Sequence, residues 1–114
     1  MVKENYIPNY GDIVWVNFDP TIGREQKGRR PAIIISSFDF NKKTNLAFVC
    51  PITNTNKNYP FRIQLESQKV KGFVMTEQLR SISWQERKVE FIEKGDKNTL
   101  LTISNLIEAI TQPF

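Results

Sequence analysis

Apolar and polar positions change over in short blocks along most of the chain, and the blocks have strand lengths. Ile13 to Phe18 is apolar at nearly every position, β-branched or aromatic, and follows the turn signal Tyr10-Gly11-Asp12. Asp19-Pro20 ends it. Ala32 to Ile35 is an unbroken apolar run, the mark of a strand buried on both faces. Leu46 to Val49 reads as a third strand, stopped by Pro51. Phe61, Ile63 and Leu65 alternate with Arg62, Gln64 and Glu66, the pattern of a half-exposed strand. Val70 to Trp84 is long and β-rich, and its alternation breaks at Glu77 and Gln78, where a bulge or bend is expected. Asp39 to Asn45 and Asn54 to Pro60 are polar, turn-rich connections.

Only the end of the chain changes period. Leu100, Ile103, Leu106, Ile107 and Ile110 share one face of a helix, with Asp96 or Asn98 as its N-cap and Pro113 just past it. There is no repeat, low-complexity tract or linker. The expected fold is one domain, residues 1–114, mainly β (α+β): a small barrel or sandwich with a C-terminal helix.

Composition narrows the chemistry. A chain of 114 residues can bury roughly two-thirds of its extended surface, so a core needs no staples. The single cysteine, Cys50, lies in an apolar stretch and reads as a buried free thiol. There is no histidine, which excludes a serine- or cysteine-histidine nucleophile system. With one cysteine as well, no zinc site of the usual ligand types is expected. No apolar run approaches the ~18 residues of a membrane span, and no signal-peptide core is visible. The expectation is a cytoplasmic protein with no membrane partner. The net charge is +4 and the pI near 9.3, with most of the excess before residue 60. That charge suits a phosphate-rich partner such as nucleic acid, and equally a plain basic protein.

The charge is concentrated in Gly23-Arg24-Glu25-Gln26-Lys27-Gly28-Arg29-Arg30-Pro31, directly ahead of the second strand. Pro31 disfavours the helical conformation at Arg30 and holds it extended. A guanidinium offers five donors in a planar fork suited to phosphate oxygens. Taken alone, the loop reads as a phosphate grip or as a solvated charged face. A second cluster, Pro51-Ile52-Thr53-Asn54-Thr55-Asn56-Lys57, places hydroxyls, amides and a lysine where the third strand leaves the core. Such groups bond phosphates and base edges, and also form ordinary turns. A third, Glu77-Gln78-Leu79-Arg80, fits an edge, a dimer interface or a site wall.

Together these segments resemble the MazF/PemK family of toxin endoribonucleases. Gly11-Asp12-Ile13-Val14-Trp15-Val16-Asn17-Phe18-Asp19-Pro20-Thr21 is similar to the family's opening strand, and Gly23 to Pro31 to its Gly-x-Glu-Gln-x-Gly-x-Arg-Pro loop. Cys50-Pro51-Ile52-Thr53 matches its Pro-x-Thr turn, and Lys57 to Phe61 and Glu77 to Ile82 match two further segments, all in order. The resemblance implies an SH3-like barrel with a C-terminal helix, working as a homodimer. It implies cleavage of single-stranded RNA, usually mRNA, at short motifs, with no metal or other cofactor. The partner implied is a cognate, MazE-like antitoxin whose disordered tail covers the RNA groove, in a complex that binds operator DNA through the antitoxin. The family's catalytic arginine falls on Arg30, its supporting threonine on Thr53 and its loop glutamate on Glu25. Arg29 departs from relatives that carry histidine there.

Such cleavage uses the substrate's own 2′-hydroxyl as nucleophile and leaves a 2′,3′-cyclic phosphate and a 5′-hydroxyl. Arg30 suits stabilisation of the phosphorane charge. Thr53 can donate to a non-bridging oxygen. A guanidinium is always protonated, so Glu25 is a natural base if burial raises its pKa, whereas the family pattern gives the arginine more of the proton work. Base recognition needs stacking surfaces and amides, and the candidates are Phe18, Asn54, Lys57 and Gln78, with Arg29 as an RNA-steering cation. Phe18 fits a core position as well. Two other readings stay open at this point: a non-catalytic gyrase poison of the same fold, and an RNA-binding barrel. Trp15, Trp84 and the apolar helix face exceed what a small barrel obviously needs, which suits a dimer and also a larger core.

Overall fold

A computed structural model describes residues 6–18, 28–55 and 59–113. Among these, the elements in order are β1 (Asp12–Asn17), β2 (Arg29–Ile34), α1 (Phe38–Thr44), β3 (Leu46–Thr53), β4 (Arg62–Glu66), β5 (Lys71–Met75), β6 (Arg80–Ser83), β7 (Glu90–Lys94) and α2 (Lys97–Thr111). A 3-10 turn, Thr76–Gln78, joins β5 to β6, which is the bend expected in that segment. The strands form one curled antiparallel sheet in the order β4-β5-β3-β2-β1-β7, with β6 also paired to β3. This is the expected mainly β fold with a C-terminal helix.

β3 is the hub. It pairs with β2 from Val49 to Pro51, with β6 from Leu46 to Val49, and with β5 at Ile52 and Thr53. Pro51 does not stop this strand, contrary to expectation. It falls where β3 has left β6 and not yet reached β5, a gap in which a missing N–H is tolerated.

The middles of the central strands are apolar because both their faces are largely covered. Ile13, Ile33, Cys50 and Ile52 join one buried cluster, which Ile103 of α2 completes. Val14, Val16, Ala32, Ile34, Ala47 and Val49 join a second, closed by Ile82 and Trp84. Full burial of each such aliphatic contributes about 1.5–3 kcal/mol. Asp96 is the N-cap of α2; its carboxylate accepts from the Thr99 backbone N–H at 2.8 Å and the Thr99 hydroxyl at 3.0 Å.

Three further elements differ from the sequence reading. Residues 39–45 are not turns but α1, capped by Ser37, whose hydroxyl accepts from the Phe40 N–H at 3.1 Å, and ended by Asn45 in the left-handed region. The helix lacks apolar periodicity because the residue that anchors it is polar. Asn41 is fully buried: its amide donates to the Pro8 carbonyl at 2.8 Å and accepts from the Ser36 hydroxyl at 2.5 Å. Trp84 is core rather than surplus, with its indole N–H donating to the Asn41 carbonyl at 3.0 Å. The local pattern does not announce β7; its residues become a strand only by pairing with β1, across a register shift between Ile13 and Val14.

β7 and β4 are the sheet's outer strands. Glu93 of β7 links across, accepting from the Ser67 hydroxyl and from the Lys69 N–H at 2.9 Å in the β4–β5 turn. These bonds, the Ser67 one first, hold its carboxyl below the ordinary carboxylate range. Among the described residues, no helix is long and apolar enough to cross a membrane.

Candidate active site

The basic loop connects β1 and β2 in an antiparallel hairpin. Asn17 faces Arg29, Val16 faces Arg30, and the Phe18 N–H donates to the Gly28 carbonyl at 2.9 Å at the hairpin's loop end. Glu25, Arg24 and Lys27 lie outside the described residues, as does Lys57. Arg29 and Arg30 are the first two residues of β2, Arg30 extended as Pro31 demands.

The fold separates these two neighbours. Arg29 forms an ion pair with Glu90 of β7, and its guanidinium sits 5.0 Å above the Trp15 ring. Arg30 instead lines a cleft of about 380 Å³ with Pro31, Ile52, Thr53, Asn54, Thr55 and Lys71. The cleft exists because two strands part. The β2–β3 ladder ends at Ala32 opposite Pro51, while on the other edge of β3 Thr53 pairs with Phe73 of β5. Carried on by two residues, the β2–β3 register sets Arg30 across from Thr53. The structure thus brings Arg30, Thr53 and Asn54 together.

Thr53 has a defined hydrogen-bonding state. Its hydroxyl oxygen accepts from the Thr55 backbone N–H at 3.2 Å, a turn that leaves the hydroxyl proton free to donate. Its backbone is set by Gly72, at φ +155°, where a Cβ would lie 2.6 Å from the Thr53 carbonyl oxygen. Only glycine allows β5 so close to Thr53.

Arg62 buttresses the same turn. It donates through Nε and Nη2 to Glu77 Oε2 at 2.9 and 2.7 Å, and through Nη1 to the Thr55 carbonyl at 3.4 Å. Its guanidinium stacks 4.1 Å above Tyr59. Glu77 is therefore an ion-pair partner holding the 3-10 turn against β4, and it also bears on Cys50. Burial, and then the charge of Glu77, push the Cys50 thiol up to about 12, so it stays protonated and unreactive.

Phe18 and Gln78 are not among the residues lining the cleft. Phe18 packs half-buried against the second core cluster, with Arg80 5.4 Å over its ring and Arg87 donating to its carbonyl at 2.7 Å. Gln78 is exposed at the end of the 3-10 turn. Thr55 belongs to the hydroxyl- and amide-rich cluster that the sequence singles out, whereas Lys71 is a cleft residue that sequence reasoning missed. The signal available for Lys71 was the glycine beside it, since Gly within a strand pattern marks close backbone approach.

The described lining carries two cations, two hydroxyls and one amide, and no carboxylate. It is a surface for an extended anion. Among the described residues, no group of three His, Cys, Asp or Glu stands where it could hold a metal ion.

Similarity to known proteins runs through the whole fold. The endoribonuclease toxin MazF of Escherichia coli (strain K12) is 44% identical over 82 residues, covering 72% of this chain and 74% of that one. The crystal structure of MazE-MazF (Form-II) from Deinococcus radiodurans superposes with a TM-score of 0.84 at 31% identity, covering 95% of this chain and 98% of that one. MazF (Form-I) from the same organism gives 0.83 at 34% identity, covering 93% and 97%. The model of the PemK-like, MazF-like toxins of type II toxin-antitoxin systems matches residues 9–111, and the chain belongs to that family.

Proposed function

We propose that this chain is a toxin endoribonuclease that cleaves single-stranded RNA, mRNA in the cell, and is neutralised by a cognate MazE-like antitoxin. The observation that carries the reading is the cleft at the parting of β2 and β3, where Arg30 and Thr53 face each other in a chain of this family.

The chemistry follows from the groups present. The RNA 2′-oxygen attacks the adjacent phosphorus, the bond to the 5′-oxygen breaks, that oxygen takes up a proton from solvent water, and the products are a 2′,3′-cyclic phosphate and a 5′-hydroxyl. Arg30 is the electrostatic stabiliser of the phosphorane. Thr53 donates its free hydroxyl proton to a non-bridging oxygen. Glu25 is the proposed acceptor of the 2′-hydroxyl proton, because the Arg30 guanidinium has no proton vacancy. A pH–rate profile of Glu25→Gln tests this: the acid limb should flatten, and an unchanged limb refutes the role.

For RNA contacts, Asn54 lies in the cleft, and Lys57, Gln78, Phe18 and Arg29 are proposed to meet bases or phosphates farther along the strand. The homodimer is proposed from the family, and the apolar Leu101 (60% exposed), Ile110 (43%) and Trp15 (37%) offer surface for it. A monomer at micromolar concentration in light scattering refutes it. Action on mRNA places the protein in the cytoplasm.

The deciding assay incubates the purified chain with defined single-stranded RNA in EDTA and analyses the new ends. Cyclic-phosphate ends that vanish in Arg30→Ala support the enzyme. Uncut RNA with inhibition of DNA gyrase supports a gyrase poison, and uncut but bound RNA supports a binding barrel.

A further inference from the structure

Arg30 is not the only cation in the cleft. Lys71 opens β5 and lines the same wall as Thr53, Asn54 and Thr55. Its position is fixed by backbone. Thr53 pairs with Phe73, and the same register carried on by two residues sets Thr55 across from Lys71. Gly72 lets this part of β5 lie against the Thr53 carbonyl, closer than any side chain would allow. Arg62 secures Thr55 from the other side. In β5, the exposed Lys71 stands beside Glu66 of β4 in register, yet no ion pair joins them among the described residues.

We infer that Lys71 is a substrate-positioning cation that grips a phosphate neighbouring the one cleaved, a role that rests on the ribonuclease reading of the cleft. Arg30 and Lys71 are its two cations, and the described lining holds no carboxylate to compete for them. Their backbones stand on strands separated by β3 and are offset by two residues along it, so two strand spacings, roughly 10 Å, are the least distance between them. One small anion does not require two such cations on opposite walls; a chain of phosphates crossing the cleft does. Thr53 and Thr55, placed between them, offer hydroxyls along that path. The RNA backbone is thereby held in one register, with Arg30 at the reacting phosphate and Lys71 beyond it.

The test is the steady-state kinetics of the full chain on a short single-stranded RNA cut at one site, measured over a salt series. Lys71→Gln should raise KM about tenfold and lower the salt slope of kcat/KM by about 0.7, the share of one phosphate contact on a single strand. Lys71→Arg should restore most of the lost affinity. Shortening the RNA so that the flanking phosphates are absent should erase the difference between wild type and Lys71→Gln. An unchanged KM and salt slope in Lys71→Gln overturns the inference, as does a penalty that persists on the shortened RNA. A wild-type chain that cuts no RNA overturns the ribonuclease reading itself, a different outcome from a fully active Lys71→Gln. Thermal unfolding of each variant separates a folding defect from a binding one: a KM effect that tracks loss of folded protein also counts against the role.

Discussion

Arg29 and Arg30 have the same side chain and adjacent positions, and their surroundings set them apart. Arg29 is held by Glu90 and Trp15, contacts worth about 0–1 and 0.5–1 kcal/mol at an exposed site. Arg30 faces the cleft. Arg30→Ala is therefore expected to lower kcat by about 10²–10³, as loss of a charge stabiliser does. Arg29→Ala should act on KM and on thermal stability, by about 1 kcal/mol. Single-turnover cleavage with melting curves distinguishes them, and equal loss of kcat in both overturns the assignment. Cys50 sits behind the same site, protonated and buried. A thiol-alkylating reagent at pH 8 should leave it unmodified in the folded protein and label it fully in denaturant. Rapid labelling under native conditions contradicts this burial.

At the scale of elements, the site is made by β3 changing partners and by β5 coming close. Gly72 is the position where the second of these is most exposed to test. In Gly72→Ala the new methyl meets the Thr53 carbonyl at 2.6 Å, and the backbone at φ +155° resists any L side chain. The expected cost is more than about 1 kcal/mol of stability. Activity should fall further than the lost folded fraction explains, because Thr53 must move. Urea unfolding beside cleavage rates at equal folded concentration checks it. α1 shows the same dependence on neighbours. Its helix signals, a serine cap, an acidic first turn and two lysines in the last, are local. What seats it against the barrel is Asn41, through bonds to Pro8, Ser36 and Trp84 that no local pattern announces.

For the whole molecule, the sheet's outer strands are tied by Glu93 rather than by a ladder. Its carboxyl is lowered by the hydrogen bonds it accepts, first from Ser67. A carboxylate whose pKa is lower folded than unfolded stabilises the fold above its unfolded value, and that gain is lost as pH falls through the folded one. Stability is thus expected to decline below the usual carboxylate range. Glu93→Gln keeps the shape without the titration, so its stability should be lower near neutrality and its acid decline shallower. Chemical unfolding at pH 7 and at pH 3 measures this, and parallel declines in the two proteins refute it.

Much was legible in the chain alone. The nearly unbroken apolar run Ile13 to Phe18 and the unbroken run Ala32 to Ile35 predict β1 and β2, because burial on both faces leaves few polar positions to interrupt them. The 3.6-residue spacing from Leu100 to Ile110 predicts α2, and Asp96 caps it as a short acceptor must. Pro31 holds Arg30 extended without help from any distant residue. Tertiary structure decided the rest, because the deciding forces join residues far apart in sequence. Pro51 lies inside a strand since the gap between β6 and β5 excuses its missing N–H. Trp84 is core because α1, where the sequence suggests turns, supplies the Asn41 carbonyl that accepts its indole N–H hydrogen bond. And the cleft itself, with Arg30, Thr53 and Lys71 on three strands, exists only because the β2–β3 ladder ends at Ala32 and Pro51 while β5 stays paired along the other edge of β3.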